Sequence, residues 1–474
     1  DLPPPFAKEA AESLPLRIER VISEAQRRDT LTLALGRIVS AQARFRAEGE
    51  RSVLDRMGVA IGDATVVMPE RAGINLTANV RSVDYDRLQP VIAKATPTAG
   101  AGGKSSPMLE GVQVRATEVI VSGRRFNEVG LRATPQADGW RGTIESREAS
   151  GEFNWRGEEG GRLTARLRTL TMPEATQVAG VTGPAVAAPD KTADNTPREL
   201  PAIDLTAERF SVGQIDFGRL ELIAVNKSDA SGNAWTIEKA ALDAPEGKIR
   251  ATGTWRPARV GPAGDRTEVD VVVDVGDVGK YLARMGQAGA VAGGVAVLQG
   301  QLGWNGAPNA IDYPTLAGRL SLHATKGQFV RIEPGIGRLL GVLSLQSLPR
   351  RISLDFRDVF SEGFAFDEIN STATVAKGVL STNDFRMAGP SAAVVMQGET
   401  DLARETQNLH VKVVPVIGDS IAAVAGLALL NPVVGLGTLL AQRLLKDPLG
   451  QIFAYEYDIT GKWDDPKVKQ LPRL

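Results

Sequence analysis

Much of the chain alternates apolar and polar residues with a period of two. Val269, Val271, Val273 and Val275 are separated by Asp270, Val272 and Asp274. Ile352, Leu354 and Phe356 are separated by Ser353 and Asp355, and Leu409, Val411 and Val413 by His410 and Lys412. Phe453, Tyr455, Tyr457 and Ile459 alternate with Ala454, Glu456 and Asp458. Leu31, Leu33 and Leu35 fit the same template, as do Leu320 and Leu322. Successive side chains of a strand point to opposite faces, so this period gives each strand one apolar and one wetted face. Such runs recur at intervals of about ten residues with Gly, Asn or Asp between them, the signature of antiparallel meanders. Stretches long enough for helical crossovers are scarce. The expected class is mainly β.

An internal repeat extends this reading. One copy runs from Glu118 through Gly123, Phe126, Leu131, Trp140 and Gly151 to Trp155; a second runs from Glu208 through Gly213, Phe217, Leu222, Trp235 and Gly253 to Trp255. Trp304 and Trp463 also follow a strand-ending Gly. These tryptophans are expected to be structural, packing over strand ends. Repeats imply stacked units, hence an elongated, curved antiparallel sheet.

The expected order along the chain is a β segment over 1–94 closing in a short helix at 86–94, a flexible loop over 95–107 and a β-repeat over 108–172. A Pro/Ala/Thr-rich loop over 173–201 and a further β-repeat over 202–333, with a short helix at 278–285, come next. The C-terminal region 334–474 carries a helix at 335–348 and an uncharged stretch from Ser420 to Gln442. That stretch is long enough to span a bilayer. Asn431-Pro432 breaks it in the middle, which predicts a helical hairpin over 419–447 whose two arms are each too short to cross alone. Ile421, Leu427, Leu430, Pro432, Val433, Leu436, Leu439, Leu440 and Leu444 form its apolar positions. The hairpin is expected either to close the end of the sheet or to dip into a membrane leaflet.

Composition narrows the function. Lys and Arg number 55 against 56 Asp and Glu, a net charge of −1, which argues against a nucleic-acid surface. There is no cysteine, so disulfides, thiolate metal sites and Cys nucleophiles are excluded. The two histidines, His323 and His410, lie in strand patterns and read as solvent-facing or satisfied. No phosphate loop, nucleophile elbow or zinc-protease motif occurs. No catalytic residue, metal or cofactor is expected.

The string from Gly337 to Ile369 (GRLLGVLSLQSLPRRISLDFRDVFSEGFAFDEI), its continuation from Gly378 to Gln407, and the run from Asn431 to Pro466 resemble the C-terminal region of the YhdP family, within the AsmA-like superfamily of Gram-negative envelope proteins. Leu2-Pro3-Pro4-Pro5-Phe6-Ala7-Lys8, followed by Leu14-Pro15-Leu16-Arg17, also looks like a segment of that family. The resemblance implies a periplasmic β-groove of the bridge-like lipid transfer kind, with an inner-membrane anchor outside this stretch and outer-membrane contact at the C-terminus. It implies phospholipid acyl chains as cargo and no catalysis. The lining residues then expected are Val269, Val271, Val273, Val275, Ile352, Leu354, Phe356, Leu409, Val411, Val413, Phe453, Tyr455 and Tyr457. The competing expectation is a structural β-repeat spacer of the cell envelope, its apolar face packed on itself without cargo.

Overall fold

In a computed structural model, the described residues are 6, 13–23, 28–48, 51–89, 109–121, 123–157, 160–173, 200–229, 232–256, 265–330, 363–415 and 454–472. The chain divides into two compact units. One comprises Asp1–Ala187 with Pro201–Gln214, the other Ala188–Leu200 with Ile215–Leu474.

The first unit is a ladder of strands in chain order. It begins with β1 (Leu16–Ser23), β2 (Arg28–Leu35), β3 (Val39–Glu48), β4 (Arg51–Gly62) and β5 (Gly73–Asp84). It continues with β6 (Leu109–Val121), β7 (Arg124–Gln136), β8 (Gly139–Glu145), β9 (Ala149–Arg156), β10 (Arg162–Met172) and β11 (Ala202–Val212). Most neighbours are antiparallel, but β4–β5, β5–β6 and β10–β11 are parallel. The sheet is thus mostly antiparallel, as expected, with three parallel neighbours. Parallel neighbours need a connection that returns to the same end of the sheet; the connections run over 63–72, 85–108 and 173–201, of which 63–72 is described throughout and contains no helix. Residues 85–89 form one helical turn where a helix over 86–94 is expected; residues 90–94 lie outside the described residues.

The second unit repeats the plan with antiparallel pairs. Its strands are β12 (Ile215–Asp229), β13 (Gly232–Ala244), β14 (Gly247–Arg256), β15 (Arg266–Val275), β16 (Val291–Asn305) and β17 (Ala317–Phe329). They continue with β18 (Phe364–Ala376), β19 (Val379–Ala388), β20 (Ala392–Asp401), β21 (Thr406–Pro415), β22 (Tyr455–Lys462) and β23 (Asp465–Gln470). Register shifts at Ile237/Ala240, Asn370/Thr374 and Thr382/Phe385 mark bulges, which bend a strand and increase its twist.

One helix, α1 (Val278–Arg284), links β15 to β16. Asp277 caps it, accepting from the Lys280 N–H at 3.0 Å. Arg284 in its last turn forms a two-pronged pair with Glu246, 2.7 and 3.0 Å, that ties the helix to the β13–β14 turn. The helix at 335–348 and the hairpin at 419–447 lie outside the described residues, as do most of the loops at 95–107 and 173–201. The chain leaves β17 at Phe329 and β21 at Pro415 on the same rim of the sheet as α1, as the antiparallel ladder requires.

Candidate functional site: the apolar face of each sheet

Cross-strand partners carry their side chains on the same face, so the registers can be followed across a sheet. In the first unit one such row is Leu16–Leu35–Val39–Ile61–Ala78–Val114–Leu131–Ile144–Gly151–Leu167–Ala207, one residue from each strand β1 to β11. The neighbouring row is Ile18–Leu33–Ala41–Val59–Leu76–Val112–Ala133–Gly142–Phe153–Ala165–Leu205. No charged or polar side chain interrupts either. At a strand spacing of about 4.8 Å, each runs roughly 50 Å at right angles to the strands.

The second unit has the same feature. A row from β13 to β22 reads Ala244–Gly247–Val275–Ala296–Ala324–Ile369–Met387–Val394–Val413–Tyr455. Beside it run Leu242–Ile249–Val273–Leu298–Leu322 and Ala240–Ala251–Val271–Gly300–Leu320–Ala373. The four valines Val269, Val271, Val273 and Val275 thus share one face, with Leu409, Val411, Val413, Tyr455 and Tyr457 on the same side further along. Val269, Val271 and Val273 are half-buried and Val275 is buried; Leu409, Val411 and Val413 are buried and the two tyrosines half-buried. Ile352, Leu354, Phe356, Phe453 and every expected hairpin residue lie outside the described residues.

Burial along the first unit's rows follows size in an unusual sense. Ala41, Ala133, Ala165 and Ala207 are buried, whereas, Leu167 apart, large members such as Leu33, Leu76, Val112, Leu131 and Phe153 are only half-buried. In a sealed core the large side chains would be the best hidden. Here the small ones lie at the foot of taller neighbours whose tips reach solvent, the pattern of an apolar face that no second layer covers among the described residues. The second unit differs in part. Leu282, Phe364, Ile369, Val394, Leu409, Val411 and Ile459 belong to one buried cluster against α1, while the face over β14–β17 keeps the half-buried pattern.

The opposite faces are wet and paired. His410 lies opposite Asp458, with Nδ1 and Oδ1 2.9 Å apart, and Lys412 opposite Glu456 at 2.9 Å. His323 meets Asn370 at 2.7 Å. A shallow furrow of about 900 Å³ crosses this polar side between exposed Arg250, Gln299 and Ser321 on one flank and Thr252, Asp270 and Arg319 on the other. Val272 points to this polar face and is exposed.

The repeat noticed in the sequence has a structural counterpart. Trp140 pairs with Trp155 across β8–β9, and Trp235 with Trp255 across β13–β14. Trp304, Leu316, Val375, Leu402 and Trp463 form a second buried cluster at the same rim of the second unit. The tryptophans are therefore rim posts of the apolar face.

Among the described residues no group of His, Asp or Glu is placed to hold a metal, and no helix is long and apolar enough to cross a membrane. Residues 1–468 match the profile of the family described as YhdP protein. The chain belongs to the YhdP family. The Intermembrane phospholipid transporter YhdP of Escherichia coli (strain K12) is 26% identical over 483 residues, covering 100% of this chain and 36% of that protein. The chain thus spans about a third of the length of this YhdP relative. No solved structure matches it.

Proposed function

We propose that this chain is a periplasmic portion of an intermembrane phospholipid transporter of the cell envelope, a non-enzymatic protein whose apolar sheet faces carry lipid acyl chains. The observation that carries the reading is the pair of uninterrupted apolar rows in the first unit, most of whose large side chains are only half-buried. Moving a 16-carbon chain through water costs about 0.8 kcal/mol per CH₂, on the order of 13 kcal/mol per tail. An apolar strip that accompanies the tail at every step removes most of that cost. The charged opposite face keeps the strip soluble. The similarity to a protein named for intermembrane phospholipid transport supports the same reading.

In this reading Val269, Val271, Val273, Val275, Leu409, Val411, Val413, Tyr455 and Tyr457 line the path, and the first unit's rows through Leu33, Val59, Leu76, Val112 and Phe153 extend it. The anchor in the inner membrane and the contact with the outer membrane belong to the whole protein. A self-packed spacer would hide its large apolar side chains, which is why that alternative is not adopted. The test is mass spectrometry of organic extracts from the purified chain. Diacyl phospholipid is expected at near-stoichiometric yield; a lipid-free protein that also takes up no phospholipid from vesicles would overturn the proposal.

A further inference from the structure

Buried polar groups are almost always hydrogen-bonded, so adjacent exceptions point to a missing partner. Gln407 is 5% exposed, and neither its Nε2 nor its Oε1 has a partner. Trp463 is 7% exposed and its Nε1 is likewise unpartnered. The two are neighbours. Gln407 lies opposite Gly461, and the Trp463 backbone N–H donates to the Glu405 carbonyl at 2.8 Å, one step further along the same pair of strands. Gln407 lies on the apolar side of the sheet, two residues from Leu409, and Trp463 packs in the buried cluster with Trp304, Leu316, Val375 and Leu402. Gly461 presents no side chain between them. Two other buried polar groups on this rim are satisfied within the protein: Trp304 Nε1 donates to the Ala307 carbonyl at 3.1 Å and Thr267 Oγ1 to the Gly306 carbonyl at 2.6 Å. Trp255 Nε1 is also unpartnered but has no unpartnered neighbour.

We propose that Gln407 and Trp463 form a neutral hydrogen-bonding niche that receives the ester carbonyls of a diacyl lipid whose tails lie on the adjacent apolar face. The niche rests on the lipid-path reading and assigns it a polar station. Three N–H donors stand against one acceptor, which suits an acceptor-rich group. Neither residue carries charge, and a phosphate brought into so dry a place would go uncompensated. Ester carbonyls are uncharged acceptors that sit where a lipid's polar and apolar parts meet.

The test titrates the purified chain with monomeric dihexanoyl phosphatidylcholine and with its diether analogue, which has the same tails and headgroup but no carbonyls. Wild type is expected to bind the ester form about 5- to 10-fold more tightly, the ratio one neutral hydrogen bond supplies. Gln407→Leu and Trp463→Phe should lose that preference while keeping the affinity for the diether. Equal affinities in wild type, or a preference that survives in Gln407→Leu, would overturn the niche and leave the lipid path standing. Binding of neither lipid would overturn the lipid path itself and the niche with it. The lipid-free Gln407→Leu protein should melt no lower than wild type, because the substitution removes an unpaired buried amide. A clear drop would show that the amide has a structural partner and would count against the niche.

Discussion

Ala133 shows how much a single side chain says about the face it sits on. It is buried between Val112 and Gly142 in a row whose large members are half in solvent. Adding methylenes to a sealed core typically costs 1–3 kcal/mol. On an uncovered face a longer side chain can rise into open space. Ala133→Leu is therefore expected to change unfolding free energy by less than about 1 kcal/mol, as read from a denaturant melt; a loss of about 2 kcal/mol or more would mean that the face is covered. Glu246 supplies a second residue-level prediction. Its pairing with Arg284 holds its carboxyl below the ordinary value of 4.5. A carboxylate with a lowered folded pKa stabilises the fold above its unfolded value, and that contribution is lost as pH falls through the folded value. The melting-temperature gap between wild type and Glu246→Gln should thus be full at neutral pH and shrink below pH 4.5. A gap unchanged by acid would mean the pair contributes nothing. Face assignment at this scale was readable from alternation alone, as Val271 and Asp270 demonstrate. The value of Gln407 was not, because a glutamine at a core position in a strand pattern gives no sign of whether it has a partner.

At the scale of elements, strands and their facing follow from period two, but neighbour choice does not. The sequence favours hairpins throughout, yet β4, β5 and β6 run parallel. Direction depends on where a connector returns, and neither the ten-residue 63–72 connector nor the Gly/Pro/Ser-rich stretch at 95–107 carries a helical period to reveal a crossover. Part of the crossover from β4 to β5 is visible from its contacts. Thr77 Oγ1 donates to the Thr65 carbonyl at 2.8 Å, and a Cβ on Gly58 would meet Val66 at 2.7 Å, so this connector lies against the sheet. The short helix α1 was legible as a helix, whereas its docking was not. Gly279 lies so close to β16 that a Cβ would come 2.6 Å from the Val291 carbonyl oxygen and 3.0 Å from the Gly293 nitrogen. Both are backbone atoms that cannot rotate away. Gly279→Leu should lift α1 off the sheet and expose Leu282, lowering stability by about 1–3 kcal/mol despite a better helix propensity. Faster amide exchange in residues 278–285 would locate the loss; unchanged exchange there would refute the docking.

Across the whole molecule, each unit offers the same construction: apolar rows at right angles to the strands, rimmed by paired tryptophans, with charged pairs on the other face. On the proposed lipid path residues act in series, so that each point must be passed for anything to arrive. A binding site is local, and substitutions away from it are silent. A single carboxylate on the path should therefore stop transport wherever it is placed, because an unpaired charge beside acyl chains costs several kcal/mol. Val59 and Val273 are both half-buried, so an aspartate at either can stay hydrated in the lipid-free protein and the fold should survive with a modest loss of melting temperature. The expected result in the full-length protein is that Val59→Asp and Val273→Asp each abolish lipid flow in cells, and that the double variant is no worse than either alone. Such non-additivity is the mark of residues acting in one sequence of steps. A silent Val59→Asp, or two partial defects that multiply in the double variant, would mean that lipid does not traverse both faces; unfolding of the single variants would mean that these faces are cores.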